Sequence, residues 1–381
     1  SSAETTMSVQ ALEITAKVRT DPIRFVSLAD FETSLEATVA PSLLLDSPNI
    51  TPYSLDHANR RAVFVETPAD IDLSQAPFYY QAQYEQAVRL LVAPYDLLYA
   101  LTDPIDTRGE NLVLIHSTGR CGSTLFSRAL NRPATVVSLS EPDVYTLLVG
   151  LRNPDGRDDR EISRLLRTLT ILLCKPTATK TSPTHWAIKF RSMVIELGHL
   201  LHEQFPQAKT VFLYRNAESW ARSMTSAFRM LDPAMGELMA FYKQLFVQYM
   251  PLIKHYVAPE ESTDTQFLTA MWLALMQRYL ELHERGIPMC ALRYEELKAA
   301  PTEMLAAVLA YCDLPVVDVE NLIAVLDEDS QQGTALSQEQ ARRNPYQLSE
   351  QDLAAIRLLL QAQPVLNRPD IIVPNSVRHD P

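Results

Sequence analysis

Short apolar runs alternate with amphipathic segments over most of the chain after residue 111. Apolar, partly β-branched runs of this length are typical of buried parallel strands, whereas apolar positions three and four residues apart predict helices. Strands are predicted at residues 112–115, 135–139, 186–190, 210–214 and 288–293. Helices are predicted from residue 125 onward and at residues 162–174, 192–204, 215–228, 241–256, 265–285, 294–312 and 350–361. This alternation predicts an α/β fold, with helices on both faces of a parallel sheet.

The first 110 residues lack this regular alternation. Only residues 61–66 have strand character, and residues 75–101 have helical character. We therefore expect residues 1–110 to form a mostly helical extension that packs on a domain of residues 111–381. The region of helical character carries aromatic residues that either line a pocket or pack on the core, namely Phe78, Tyr79, Tyr80 and Tyr84.

Composition and charge limit the classes of partner. The 381 residues are 47% hydrophobic, which is typical of a globular protein with a sizeable core. The net charge of −12 disfavours nucleic acids and heavily sulfated glycans. No apolar run reaches the length of a membrane span, no signal segment opens the chain, and the four cysteines lack metal-ligand spacing. We therefore expect a reduced, cytoplasmic protein with no membrane or nucleic-acid partner, for which a homodimer is one possible assembly.

The stretch NLVLIHSTGRCGSTLFSRAL, residues 111–130, predicts an anion-binding site. A buried strand leads into a loop of small residues, after which a helix begins. Gly119 and Gly122 allow the backbone to approach a phosphate, and the N–H groups at the start of the helix favour an anion. Arg120 can donate two hydrogen bonds to one phosphate, and Ser123 and Thr124 can add hydroxyl groups. Taken alone, the stretch is equally consistent with a tight turn capped by Ser123 or Thr124.

Four polar residues follow closely on predicted strands, namely Arg120, Glu141, Lys189 and Arg215. Ligands of open parallel α/β sheets bind outside the carboxyl ends of the strands. We therefore expect these four residues to share one crevice. His116, by contrast, lies within a strand and is interpreted as a core histidine.

Three segments resemble the sulfotransferases that use 3′-phosphoadenosine-5′-phosphosulfate (PAPS). TGRCGSTLFSRAL (118–130) resembles the family's 5′-phosphosulfate loop. RNAESWARSMTS (215–226) resembles its second signature, in which an arginine and a serine eight positions later hold the 3′-phosphate. LRYEELKAAP (292–301) resembles a third block, whose tyrosine lies near the adenine. The resemblance covers residues 111–314 and implies a P-loop NTPase-like sulfotransferase fold for the domain at 111–381.

The resemblance also implies a role for individual residues. The implied PAPS-binding residues are Gly119, Arg120, Cys121, Gly122, Ser123 and Thr124 at the 5′-phosphate, Arg215 and Ser223 at the 3′-phosphate, and Tyr294 at the base. Gly333 with Arg342 or Arg343 would close over the 3′-phosphate. Lys189 matches a strand-end lysine that assists the sulfuryl group in many members. Together with Arg120, it would stabilise the charge that develops on the leaving adenosine 3′,5′-bisphosphate, with no metal required.

Departures from the family pattern bear on the catalytic base. Cytosolic members have lysine where Arg120 stands, so the loop is nearer to the carbohydrate and tyrosylprotein branches. The same members have a histidine base at the position of Arg191, and an arginine cannot accept a proton there. Glu141 resembles the glutamate base of the other two branches, and its carboxylate could take the proton of the acceptor hydroxyl. The alternative is that Glu141 only forms a salt bridge with an arginine.

These features predict transfer of a sulfuryl group from PAPS to a hydroxyl or amine of a small-molecule acceptor. Glu141, Lys189 and Arg120 are the expected catalytic residues. One alternative is a phosphotransferase that binds Mg²⁺ and ATP, although the loop lacks the GK[ST] ending of such enzymes. The other is a non-catalytic protein that binds adenosine bisphosphate through the same fold.

Overall fold

The computed structural model describes residues 8–21, 24–231, 236–314, 323–324 and 346–379. The chain divides into two compact units. Unit 1 comprises Ser1–Val113, Leu130–Phe190 and His199–Ala208, and unit 2 comprises Leu114–Ala129, Arg191–Gly198 and Lys209–Pro381. Both units are therefore assembled from separate stretches of the sequence, and the domain boundary after residue 110 stays a prediction.

The N-terminal part of unit 1 contains an antiparallel sheet of five strands. Its strands are β1 (Val9–Lys17), β2 (Phe31–Val39), β3 (Ile50–Asp56), β4 (Arg61–Glu66) and β5 (Arg89–Pro94). Their spatial order is β2-β1-β5-β4-β3. Three helices belong to the same region: α1 (Leu43–Asp46), α2 (Tyr79–Gln86) and α3 (Tyr95–Thr102). The predicted strand at 61–66 is confirmed as β4.

The expectation of a mostly helical extension is wrong, for two physical reasons. First, the sheet is built from distant segments: Gln10 on β1 pairs with Val92 on β5. Second, the register of β1 against β2 shifts at two places, which interrupts the alternation that a strand would otherwise show. β5 lies inside the region read as helical, because its run RLLVAP is almost continuously apolar and has no period of two.

The second sheet is parallel and confirms the predicted α/β class. Its strands are β6 (Leu112–Ser117), β7 (Val136–Ser140), β8 (His185–Lys189), β9 (Lys209–Tyr214) and β10 (Cys290–Arg293). Their order is β10-β9-β6-β8-β7. In unit 1, Ser140 at the end of β7 is in register with Lys189 at the end of β8. In unit 2, Arg293 at the end of β10 is in register with Tyr214 at the end of β9.

Helices follow the strands of the parallel sheet. They are α4 (Ser123–Leu130), α5 (Val144–Leu151), α6 (Asp159–Leu173), α7 (Gly198–Gln204), α8 (Ala217–Leu231), α9 (Gly236–Tyr249), α10 (Ile253–Tyr256), α11 (Asp264–Glu284), α12 (Tyr294–Ala299), α13 (Pro301–Tyr311) and α14 (Glu350–Gln361). A 3₁₀ segment, Ser192–Leu197, precedes α7.

Proline explains where single predicted helices are two. The predicted helix at 241–256 is α9 followed by α10, with Pro251 between them. The predicted helix at 294–312 is α12 followed by α13, which starts at Pro301. Proline removes a backbone donor and disfavours helical geometry at the preceding residue, so a helix ends there and a new one begins.

No helix in the described ranges is long and apolar enough to cross a membrane.

Candidate active site

The loop between β6 and α4 turns sharply through left-handed backbone conformations. Gly119 has φ +77°, Arg120 has φ +52° and Gly122 has φ +79°. A Cβ atom at Gly119 would lie 3.1 Å from the hydroxyl oxygen of Ser192. Glycine is therefore favoured at Gly119 by the backbone conformation, and an added Cβ would also need the Ser192 hydroxyl to shift by a few tenths of an ångström. A non-glycine residue with positive φ, such as Arg120, is uncommon and often marks a functional segment.

Contacts within unit 2 hold this loop in place. The backbone N–H of Thr118 donates to the carbonyl oxygen of Leu213 on β9 at 3.0 Å. The carbonyl of Thr118 accepts a hydrogen bond of 2.9 Å from the indole N–H of Trp220, which is fully buried. The buried thiol of Cys121 donates to the Leu213 carbonyl at 3.5 Å, so the Cys121 side chain faces β9. The loop is thus fixed against β9 and α8, and the start of α4 at Ser123 is the candidate anion site.

Arg215 is a second cationic group beside this loop and follows β9 directly. Its Nη1 donates to the carbonyl oxygen of Arg120 at 2.8 Å. Its guanidinium carbon lies 4.3 Å from the centre of the Tyr294 ring, within the range of a cation–π contact. The indole of Trp272 donates to the Arg215 carbonyl at 2.9 Å and fixes its backbone. Burial lowers the pKa of Arg215, although a guanidinium stays charged in a protein at neutral pH.

Two residues that support Arg215 were not predicted from the sequence. Ser219, one helical turn later, accepts a hydrogen bond of 3.0 Å from Arg215 Nε. Glu295 Oε1 accepts from the backbone N–H of Asn216 at 3.0 Å and from the Ser219 hydroxyl at 3.3 Å. The sequence analysis placed Arg215 and Ser219 on one predicted helix, where a spacing of four residues would have been a usable signal, but in the structure Arg215 precedes α8 and only Ser219 lies in its first turn. Glu295 carried no local signal, because its partners lie 76 and 79 positions away.

Ser223 on α8 connects the two motifs. Its hydroxyl oxygen accepts a hydrogen bond of 3.1 Å from Nε of Arg120. The adjacent Arg222 is exposed to solvent. Unit 2 therefore brings together Arg120, Arg215, Ser223 and Tyr294, which come from three segments of the sequence.

Glu141 and Lys189 lie together in unit 1. Nζ of Lys189 is 2.5 Å from Oε1 of Glu141, and the Glu141 N–H donates to the Lys189 carbonyl at 2.7 Å. Only 5% of the Lys189 side chain and 14% of the Glu141 side chain are exposed. Glu141 has φ +64°, a strained backbone conformation at a strand end. Glu141 thus forms its ion pair with a lysine, whereas the alternative interpretation of the sequence expected an arginine.

Most of the other residues singled out in the sequence that the structure describes lie in the protein interior. His116 is buried in β6, and this burial lowers its pKa to about 3, so it is a neutral core residue. Phe78, Tyr79 and Tyr80 are also buried and Tyr84 is partly exposed, while Tyr79 in addition lines a cavity. Gly333, Arg342 and Arg343 lie outside the described residues. Among the described residues, no group of three or more His, Cys, Asp or Glu side chains could hold a metal ion.

Comparison with known protein families and solved structures shows which proteins this chain is similar to. A family model described as the sulfotransferase domain matches residues 111–347. A search of curated protein sequences finds no match. Among solved structures, the sulfotransferase domain from the curacin biosynthetic pathway shares 14% identity, covers 67% of this chain and 98% of its own, and has a TM-score of 0.40.

Two further solved structures are similar at the same level. Mouse sulfotransferase SULT7A1 complexed with PAP shares 14% identity over 69% of this chain and 88% of its own, with a TM-score of 0.39. A sulfotransferase from Alicyclobacillus acidocaldarius shares 13% identity over 68% of this chain and 96% of its own, with a TM-score of 0.35.

Proposed function

The chain belongs to the sulfotransferase domain family, and we propose that it transfers a sulfuryl group from PAPS to a hydroxyl or amine of a small-molecule acceptor. The observation that carries this proposal is the contact of the two phosphate motifs within unit 2. Nη1 of Arg215 lies 2.8 Å from the carbonyl oxygen of Arg120, so both motifs can reach one nucleotide. Had the two segments been far apart, no single nucleotide could have engaged both.

The residues of unit 2 fit a doubly phosphorylated adenosine. The loop from Gly119 to Thr124, which leads into the start of α4, is the proposed site of the 5′-phosphosulfate. Arg215 and Ser223 are the proposed ligands of the 3′-phosphate. Tyr294, whose ring already stacks on Arg215, is the proposed neighbour of the adenine.

PAPS supplies an activated sulfuryl group, and the chain positions it and stabilises charge. In the proposed step a bond forms between the acceptor oxygen and sulfur, while the bond from sulfur to the bridging phosphate oxygen breaks. The electron pair of the broken bond stays on adenosine 3′,5′-bisphosphate, where loop N–H groups and nearby cations stabilise the developing negative charge. Each such donor typically contributes about 10²–10³ in rate.

Glu141 is the proposed base that takes the acceptor proton. Lys189 holds Oε1 of the carboxylate, which leaves Oε2 for the acceptor. The strained backbone of Glu141 supports a functional role, since strain of this kind clusters at active sites. The near-burial of the pair limits competition from water for the carboxylate.

The test is turnover with PAPS and mixtures of small metabolites, followed by mass spectrometry of sulfated products. We expect Glu141→Gln to keep its affinity for adenosine 3′,5′-bisphosphate and to lose turnover by about 10²–10⁴. Undiminished turnover in this variant would remove Glu141 as the base. Tight bisphosphate binding by the wild type without transfer to any acceptor would favour the non-catalytic alternative.

A further inference from the structure

We propose that a cavity in unit 1 binds a small monocarboxylate with an apolar tail, whose carboxylate is held by the buried ammonium of Lys175. The cavity has a volume of about 260 Å³, and all the residues that line it belong to unit 1. An engineered apolar cavity of about 150 Å³ holds one benzene molecule, so a cavity of this size has room for about ten non-hydrogen atoms.

The inner wall of the cavity is apolar, and its mouth is open to solvent. Buried side chains form the inner wall, namely Leu73, Tyr79, Val137, Leu139 and Leu173. The mouth lies between three loops, at residues 48–49, 67–71 and 176–181, where Pro48, Ala69 and Ala178 are exposed. A ligand can therefore enter between these loops and bury an apolar tail against the inner wall.

Polar side chains of the wall have partners within the protein. The amide of Asn49 donates to the Thr67 carbonyl at 2.6 Å, and the Thr177 hydroxyl donates to Oδ2 of Asp72 at 2.9 Å. The hydroxyl oxygen of Thr51 accepts from the side-chain amide of Gln83 at 2.9 Å. An apolar tail leaves these groups paired, whereas a polar tail would need partners of its own.

Lys175 is the cationic side chain of the cavity wall, and only 6% of the residue is exposed. Its ammonium donates to the backbone carbonyls of Leu44, Ser47 and Ile50, the last two at 3.3 and 2.7 Å. Ser47 and Ile50 flank residues 48–49, which line the cavity. The ammonium therefore lies beside the mouth loop that these residues form.

A ligand carboxylate would balance the charge of this ammonium. Burial lowers the pKa of Lys175 to about 7, and the carboxylate that opposes this shift is that of the exposed Asp46. Asp72 is the other carboxylate near the cavity, and its charge raises the pKa of the neighbouring Lys180. The hydrogen bond from Lys175 to Ser47 is long, so this donor can turn to a carboxylate, which forms a stronger, charge-assisted bond.

The lysine end of the cavity lies near the amino-terminal ends of β7 and β8. Nζ of Lys180, in the loop at 176–181, donates to the carbonyl of Val136, the first residue of β7, at 2.5 Å. The indole of Trp186, the second residue of β8, donates to the Lys175 carbonyl at 3.0 Å. The proposed catalytic pair lies at the opposite, carboxyl ends of the same strands, so the cavity provides a second small-molecule site.

Calorimetric titration with a charged and a neutral ligand of equal chain length tests the proposal. Octanoate and 1-octanol are titrated at about pH 6.5 into the wild type, Lys175→Met, Ala178→Trp and the exposed control Lys254→Met. We expect one octanoate per chain and at least about tenfold weaker binding of 1-octanol. Lys175→Met should weaken octanoate by at least about tenfold and change 1-octanol by less than about threefold, and Lys254→Met should change neither.

No binding of octanoate to the wild type would overturn the proposal. Equal affinities for octanoate and 1-octanol, or an unchanged affinity for octanoate in Lys175→Met, would overturn it as well. Ala178→Trp blocks the mouth from an exposed position and serves if Lys175→Met does not fold, which circular dichroism shows. It should abolish octanoate binding, and binding retained in this variant would mean that octanoate occupies another site and that the proposal is wrong.

Discussion

The ion pair of Glu141 and Lys189 leads to a quantitative prediction on stability. We consider Glu141→Gln, Lys189→Met and the double variant. Each single substitution leaves one charge buried without its partner, since only 14% and 5% of these side chains are exposed. Breaking a buried pair from one side costs about 3–5 kcal/mol in the free energy of unfolding. The double variant has no unpaired buried charge. It should therefore lower the free energy of unfolding by no more than the more destabilising single variant does.

The prediction is therefore a coupling free energy of at least about 3 kcal/mol in the double-mutant cycle, because the two single costs together exceed the cost of the double variant by at least the smaller single cost. Arg164 and Asp103 form a matched control in unit 1, with nitrogen and oxygen 2.7 Å apart but 48% and 51% of their side chains exposed. Their cycle, Arg164→Met with Asp103→Asn, should give a coupling below about 1 kcal/mol, because solvent screens an exposed pair.

Urea unfolding followed by circular dichroism measures both cycles, and unchanged m-values show that the same structure unfolds. Additive costs for Glu141→Gln and Lys189→Met would refute the reasoning, because they would mean that neither charge depends on the other. A coupling as small as that of the control pair would mean that the pair is solvated in solution.

Two further predictions concern His116 and the anion loop. Burial lowers the pKa of His116 to about 3 in the folded chain. Below pH 6.5 the unfolded chain therefore binds a proton at this histidine that the folded chain does not bind, so the free energy of unfolding falls as the pH drops from about 6.5 to about 3. Urea unfolding at several pH values measures this dependence. His116→Asn should reduce the slope of the free energy of unfolding against pH by about 1.4 kcal/mol per pH unit, whereas the exposed control His255→Gln should leave the slope unchanged. An unchanged slope in His116→Asn would refute the interpretation of His116 as a buried, neutral histidine. Gly122→Ala should cost about 1–2 kcal/mol through its positive φ and also weaken adenosine 3′,5′-bisphosphate binding, measured by calorimetry. Gly286→Ala is the control, because Gly286 has a similar φ of +78° and open space around it. Equal effects of the two variants on bisphosphate binding would contradict the role of Gly122 in an anion-binding loop.

The parallel sheet and the ends of its strands could be predicted from the sequence because the signals are local. The apolar run that became β6, the small residues after it and the helical spacing of α4 lie within 20 residues of one another. α14 begins and ends where its pattern predicts, at Glu350 and Gln361. In each case the residues that define the element are neighbours in the chain.

The antiparallel sheet could not be predicted in this way, because its stability lies in pairs such as Gln10 with Val92. Similarly, the sequence predicts Glu141 and Lys189 as strand-end residues but not as an ion pair. That contact requires β7 and β8 to be neighbours in register, which depends on the order of strands in the sheet. The contact of Arg120 with Ser223 is of the same kind, since it depends on where a loop and a helix meet.

The most direct test of the central claim is a calorimetric titration of the wild type and Arg215→Ala with adenosine 3′,5′-bisphosphate, with Mg²⁺ and ATP as competitor. We expect the wild type to bind one bisphosphate per chain and to prefer it over Mg²⁺ and ATP, because two separate phosphate motifs meet in unit 2. Arg215→Ala should weaken the bisphosphate by at least about tenfold. Tighter binding of ATP with Mg²⁺, or an affinity for the bisphosphate that does not change in Arg215→Ala, would contradict the account.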